Sequence, residues 1–334
     1  MKKIITLFFI TVFLMLSFNK AFGGVTIGHI DYSLNSEKYT ATLQYVNPEA
    51  IVAGVLTIPQ FVTYEKKNYE VVEIADHACS DSRVKKLLEW INFPVSIEVV
   101  GEGAFENCIN LWSCSWPGDA TKKIGACAFA GCKKLQDFSF PPLLEKIGGR
   151  ALAGCTDIQA LIIGGELEEV PFGLCEGCTS LTEVVVFSGL FHRMKKIQDR
   201  AFDGCTNLHL VFICPNLTYL GEAFTGCNNL THVTSFMTAP PRISSNTFEH
   251  PERIRLEIPK GTAQIYKNTP HWDMFFDVEE TDMTEEELAA GVKSIKADST
   301  NDDAIYSITG KRTNVHDKGI KIIKRNGKYI KVFK

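Results

Sequence analysis

A cysteine returns through the middle of this chain at almost constant spacing, and no other feature limits its fold as sharply. Cys108, Cys132, Cys155, Cys178, Cys205 and Cys227 stand 24, 23, 23, 27 and 22 residues apart. Each closes the same phrase. Val100-Gly-Glu-Gly-Ala104-Phe105-Glu-Asn-Cys108 is followed by Ile124-Gly-Ala-Cys-Ala128-Phe129-Ala-Gly-Cys132, and the frame returns at Ile147, Val170, Ile197 and Leu220. A unit of this length is too short to bury its own apolar face, so its stability must come from stacking on its neighbours.

The content of one unit predicts its path. Three residues past each cysteine stands Leu or Ile. An alternating apolar pair follows, as in Phe138 with Phe140 and Val184 with Val186. Alternation marks a strand with one buried face. Pro117 and Pro141 then stop the strand, because proline cannot donate to a ladder. The Gly-x-x-Ala-Phe segment is a tight return that seats one aromatic ring per coil. The expected structural ladder is therefore Cys108, Cys132, Cys155, Cys178, Cys205 and Cys227 with Phe105, Phe129, Phe202 and Phe224. The six ladder cysteines recur because a small apolar group fits the inner turn. Coils about 4.8 Å apart with parallel side-chain vectors suit a disulfide poorly, so buried thiols are expected.

This repeated I-G-x-x-A-F-x-x-C-x-x-L frame resembles the BspA-like leucine-rich-repeat family of bacterial surface proteins. The fold class it implies is a leucine-rich-repeat solenoid of about 23-residue units, each with one strand and an irregular return, from about Val71 to Pro259. The first unit departs from the frame with Ala78-Cys79 and Ser82, the unit at Leu174-Cys175 departs again, and Phe248 lacks its cysteine. Residues 24–70 alternate in β fashion, as in Thr40 to Tyr45, and are expected to form an N-terminal β cap. Residues 260–278, with Tyr266, Trp272, Phe275 and Phe276, resemble the family's closing helix. An acidic stretch within 279–291 reads as a solvated linker or frayed helix.

Both ends carry their own signals. Lys2 and Lys3 precede an apolar run from Ile4 to Leu16, and Ala21 and Gly23 sit where a signal peptidase would cut, so residues 1–23 read as a secretory signal peptide. No later run is long and apolar enough for a membrane span. Residues 292–334 read as a small C-terminal β module, with Asn326-Gly327 as a hairpin turn. It resembles the tails that some exported Bacteroidetes proteins use for type IX secretion. The expected location is secreted or cell-surface, the periplasm included.

Composition narrows the partners. A formal net charge of −4 with 22% charged residues argues against nucleic acid and against an anionic membrane. Cys175-Glu-Gly-Cys178 has the spacing of a redox or half-zinc pair, but Cys178 belongs to the ladder and Cys175 stands where other coils carry Phe. No histidine pair, phosphate loop, dinucleotide fingerprint or serine-nucleophile motif is present. No catalytic residue, metal or cofactor is expected.

Function is expected on the outward side of the strands. Alternation names one short row per coil: Trp90 and Asn92, Ser113 and Ser115, Asp137 and Ser139, Ala160 and Ile162, Glu183 and Val185, Leu210 and Phe212, His232 and Thr234, Arg255 and Glu257. Trp90 is expected outward, Trp116 inward with Cys114, and Trp272 over one end, whereas the direction of Trp112 at a strand entrance is not fixed. The middle rows are apolar where they should meet water, and such surface marks interaction sites. Ile162, Glu183, Val185, Leu210, Phe212 and Trp90 are thus the candidate contacts for a protein partner on a non-catalytic surface protein. The resemblance implies adhesion. A glycan is the alternative partner, favoured by Trp90, Asn92 and Asp137.

Overall fold

The computed structural model describes residues 24–136, 138–164, 166–187 and 193–282, together with the backbone of 305–307, 320–325 and 328–333. The expected signal peptide lies outside the described residues. The chain divides into two compact units, Met1–Thr156 and Asp157–Lys334.

In the first unit two sheets grow coil by coil. One has parallel strands Val55–Thr57, Trp90–Asn92 and Ser113–Ser115, with Ile51–Val52 antiparallel at its edge. The other runs from the hairpin Val25–Ile27 and Ile30–Asn35 through Thr40–Val46 and Lys67–Ile74 to the two-residue strands Val99–Val100, Lys123–Ile124 and Lys146–Ile147. The N-terminal residues therefore do more than close an edge, because Val55–Thr57 pairs parallel with the first repeat strand as a coil would.

The second unit repeats the plan. Six parallel strands stack in one sheet: Ala160–Ile163, Glu183–Val186, Leu210–Ile213, His232–Ser235, Arg255–Pro259 and Asp277–Thr281. Glu169–Val170, Lys196–Ile197 and Tyr219–Leu220 form a short second sheet. The acidic stretch expected as linker or helix begins instead as strand, since Glu279, Glu280 and Thr281 pair with Glu257, Ile258 and Pro259. The Arg255 guanidinium bonds the Glu279 carboxylate, which lets this acidic edge pair without charge repulsion. Residues 283–291 lie outside the described residues. The C-terminal strands Ile305–Ser307, Ile320–Arg325 and Lys328–Phe333 pair antiparallel, in the hairpin register that Asn326-Gly327 predicts.

Each coil uses its repeating residues inside. Phe105 stacks on Phe129 at 5.3 Å, and in the second unit Phe202, Phe224 and Phe248 stack at 5.4 and 5.1 Å, all fully or almost fully buried. Return segments bond coil to coil, with Phe105 N–H donating to the Ala128 carbonyl and Phe202 N–H to that of Ala223. Gly125 is required where the coils close up, because a Cβ there would strike the backbone of Glu102. Two positions in most coils take left-handed backbone. The one before the cysteine is almost always Gly, such as Gly131 at φ 71° and Gly204 at 70°. The one before the Ala is not, and holds His77, Cys127, Arg150 and Arg200 as well as Gly103 and Gly173.

The cysteine ladder has a reason beyond size. Cys132 donates its S–H to the Phe105 carbonyl at 3.2 Å, Cys155 to Phe129 at 3.1 Å, Cys205 to Cys175 at 3.2 Å and Cys227 to Phe202 at 3.2 Å. A thiol fills a tight apolar turn and still supplies a weak donor to the coil before. All eleven cysteines remain thiols, ten buried and Cys127 half-buried. Burial pushes the Cys108 and Cys227 thiols up to about 12. At one end of the second unit Trp272 is buried, its indole N–H on the Pro241 carbonyl, with Phe248, Tyr266 and Phe275 around it. The helix Ala263–Asn268 brings Tyr266 to that cluster.

Candidate binding surface

The outward rows fall in the phase that alternation assigns. Ile91, Val184, Val186, Val211 and Ile213 are buried inward; Trp90 and Ser113 share a register in the sheet of the first unit, and Ala160, Glu183, Leu210, His232 and Arg255 share one in the sheet of the second. Their exposure does not follow the expectation. Val185 is 1% exposed, Glu183 3% and Phe212 8%, while only Ile162 and Leu210 are half-buried. The middle rows do not offer the open apolar surface that their sequence suggests.

The physical reason is a second apolar cluster on the outer side of the strands. Ala160, Val185, Phe212 and Phe236 form it, and Ile162, Phe187 and Leu210 pack against it. Phe212 and Phe236 stack at 6.5 Å. The same unit carries two ion pairs: Arg193 holds the almost buried Glu166 at 3.2 Å, and His209 lies 3.8 Å from Glu183. Phe187 and Phe236 stand one residue past the ends of their strands and continue the outward alternation of Val185 and Thr234.

The first unit presents a different surface. Trp90 is half-buried and Trp112 is 40% exposed, and their rings meet edge-on with centroids 4.6 Å apart and planes at 67°. The direction of Trp112 is therefore outward. One row further along the strands, Asn92 organises a polar line. Its Oδ1 accepts the Trp90 indole N–H at 2.8 Å and the Ser115 hydroxyl at 3.5 Å, and its Nδ2 donates to Thr57 Oγ1 at 3.3 Å. Parallel pairing places Thr57, Asn92 and Ser115 side by side. Thr57 has no sequence signal, because its strand lies outside the repeat frame. Ser139 is exposed, and Asp137 lies outside the described residues.

Trp116 points inward as expected, stacked on Phe93 at 4.4 Å beside Phe129 and Phe138. The other sheet of the first unit carries a groove of ≈ 450 Å³ whose lining includes Gly101, Gly125 and Gly148 with Lys123 and Lys146 and with Glu73, Asp76 and Glu102. Its acids already have structural work: Asp76 accepts the Glu102 N–H at 2.6 Å and Glu73 accepts the Thr42 hydroxyl at 3.3 Å. Cys175 and Cys178 are both buried, and no group of His, Cys, Asp and Glu among the described residues is arranged to hold a metal ion. No helix among the described residues is long and apolar enough to cross a membrane.

Comparison with known proteins agrees with the period and the coils. The profile of the BspA type leucine rich repeat region matches residues 66–182 and 175–270, with six copies of the repeat. A leucine-rich-repeat protein of T. pallidum is similar in structure, with a TM-score of 0.51 at 22% identity over 62% of this chain and 90% of that one. A leucine rich cell surface protein of Faecalibacterium prausnitzii aligns over 78% of this chain and 95% of its own at 19% identity, with a TM-score of 0.43. No curated protein matches the chain at a significant level. With the matched region spanning more than half of its 334 residues, the chain belongs to the BspA-type leucine-rich-repeat family.

Proposed function

We propose that this chain is a non-catalytic, exported binding protein that acts at the cell surface and contacts a protein partner through the outward side of its strands. One observation carries the reading. The residues that repeat with the coil are consumed by packing, so what distinguishes one coil from the next is the outward row, and leucine-rich repeats are in general protein-interaction modules. Of the candidate contacts, Ile162 and Leu210 keep apolar surface at the margin of the outer cluster, with Val185 and Phe212 supporting them from beneath and Glu183 supplying charge beside His209. Export rests on the basic and apolar N-terminal residues, and the C-terminal β module is the proposed sorting element.

A photo-crosslinking residue placed at 162 or at 210, in the native cell, tests the partner. Discrete adducts of protein size at these positions and none from a control at exposed Lys134 are the expected result. Adducts equal at all three positions, or absent from all, would overturn the protein-partner reading. Protease shaving of intact cells, compared with a chain truncated after Glu287, tests export: the full chain should be cleaved and the truncated one protected.

A second reading, capture of a surface glycan for a separate enzyme, is favoured by the corner that Trp90 and Trp112 make beside Asn92.

A further inference from the structure

We infer that the first unit carries a saccharide subsite formed by Trp90, Trp112, Asn92, Thr57 and Ser115, with a neutral pyranoside as its occupant. This rests on the reading of the outward strand side as a binding surface, but it does not require the protein partner proposed for the second unit.

The argument begins with what the two indoles cost where they stand. An exposed tryptophan leaves a large apolar face in water, and Trp112 keeps 40% of its surface there without any part in the Phe ladder. Its ring meets Trp90 at 67°, so the pair forms a corner of two apolar walls facing different ways. A pyranose ring has an apolar C–H face that lies against such a wall and hydroxyls around its rim that need donors and acceptors together.

The neighbouring row supplies both. Successive outward residues on a strand are about 6.6 Å apart and neighbouring strands about 4.8 Å, so a sugar ring against the indoles reaches the row of Thr57, Asn92 and Ser115. Asn92 Oδ1 is occupied by Trp90 and Ser115, and one Nδ2 hydrogen by Thr57. That leaves the second Nδ2 hydrogen and the Thr57 hydroxyl hydrogen as donors, and the Ser115 and Thr57 oxygens as acceptors. The same bonds fix the amide plane and the Trp90 ring before any ligand arrives, which lowers the ordering cost of binding.

The chemistry of the row selects the occupant. Its three side chains are uncharged, with no guanidinium or ammonium in it to pair with a sulfate or uronate, so the site matches a neutral sugar rather than an acidic one. A protein partner would need the wider apolar core that this row of small polar groups lacks. A quaternary ammonium would need an aromatic enclosure, and two rings at a corner leave its other sides open.

The test is affinity electrophoresis of the full chain through native gels containing laminarin, xyloglucan or galactomannan, with heparin as the charged control. Retardation by at least one neutral polysaccharide is expected. It should weaken about tenfold or more in Trp112→Ala, as an aromatic anchor would, and be partly restored in Trp112→Phe. Leu210→Ser should leave it unchanged. Trp112 is outside the buried core, so Trp112→Ala should keep the wild-type melting profile, and Asn92→Ala gives a second disruption without loss of a ring. Retardation by heparin alone, by none of the neutral polysaccharides, or at full strength in Trp112→Ala with Asn92→Ala overturns the subsite. Each of these leaves the crosslinking result at 162 and 210 standing, so the two proposals fail separately.

Discussion

The same coil builds two unlike outer surfaces. In the first unit the outward positions hold Thr57, Asn92, Ser113 and Ser115 with two tryptophans, and side-chain hydrogen bonds tie Trp90, Thr57 and Ser115 to Asn92. In the second they hold Ala160, Ile162, Val185, Leu210 and Phe212, closed over by Phe187 and Phe236 into a second apolar layer. Inside, the units are alike, with stacked phenylalanines and cysteines bonded to the preceding coil. The periodic residues thus make a coil, and the outer residues decide whether that coil ends at its strands or packs again on the far side.

The sharpest break in this comparison should come from a charge. Val185→Asp places a carboxylate in the apolar layer beside Ile162 and Phe212, and unfolding in urea should show a loss of about 3–5 kcal/mol. Phe212→Ala should cost about 3–5 kcal/mol if the outer layer packs as tightly as a core. A loss below about 0.5 kcal/mol would show that the layer is surface after all.

Alkali should treat the two units alike. Unfolded thiols ionise near pH 8.5, while burial raises the folded ones, to about 12 for Cys108 and Cys227 and well above the usual range for Cys132 and Cys205. Above about pH 8.5 the unfolded chain therefore binds fewer protons than the folded one, and stability falls as pH rises. Each buried thiol contributes at most about 1.4 kcal/mol per pH unit. Hydrogen exchange at pH 7 and pH 9.5 should show both units losing protection together; loss confined to one would mean that the ladders differ. The smallest effect belongs to Ser115→Asp, the outward counterpart of the first substitution. It should change stability by no more than about 0.5 kcal/mol in the same urea assay.

The inner half of this architecture was legible because it repeats. The cysteine phrase returns six times at nearly one spacing, so coil length, inward phase and the Phe stack are legible in the sequence. The outer half does not repeat. Val185 and Phe212 take outward positions, yet their burial depends on Phe187 and Phe236, which continue the same alternation one residue past the ends of their strands, and on packing between coils that the pattern of a single strand does not disclose. Trp112 sits one residue before its strand, where alternation has not begun, and Thr57 joins the surface only through a parallel pairing outside the frame. The strand at Asp277–Thr281 was hidden for a related reason. Its acidic side chains describe solvent, whereas its backbone is held by the neighbouring strand Arg255–Pro259.

The left-handed positions give the regular coils an uneven character. Before the cysteine the backbone turns on glycine in nearly every coil, but before the alanine it turns on His77, Cys127, Arg150 and Arg200 in some and on Gly103 or Gly173 in others. A side chain in that conformation costs about 1–2 kcal/mol that glycine avoids. Arg200 offsets part of this through its bonds to Glu176 and Asp203, a compensation built from side chains rather than from the fold. Coils built on one phrase therefore carry different backbone costs in their returns, and that difference lies in six variable residues rather than in the period.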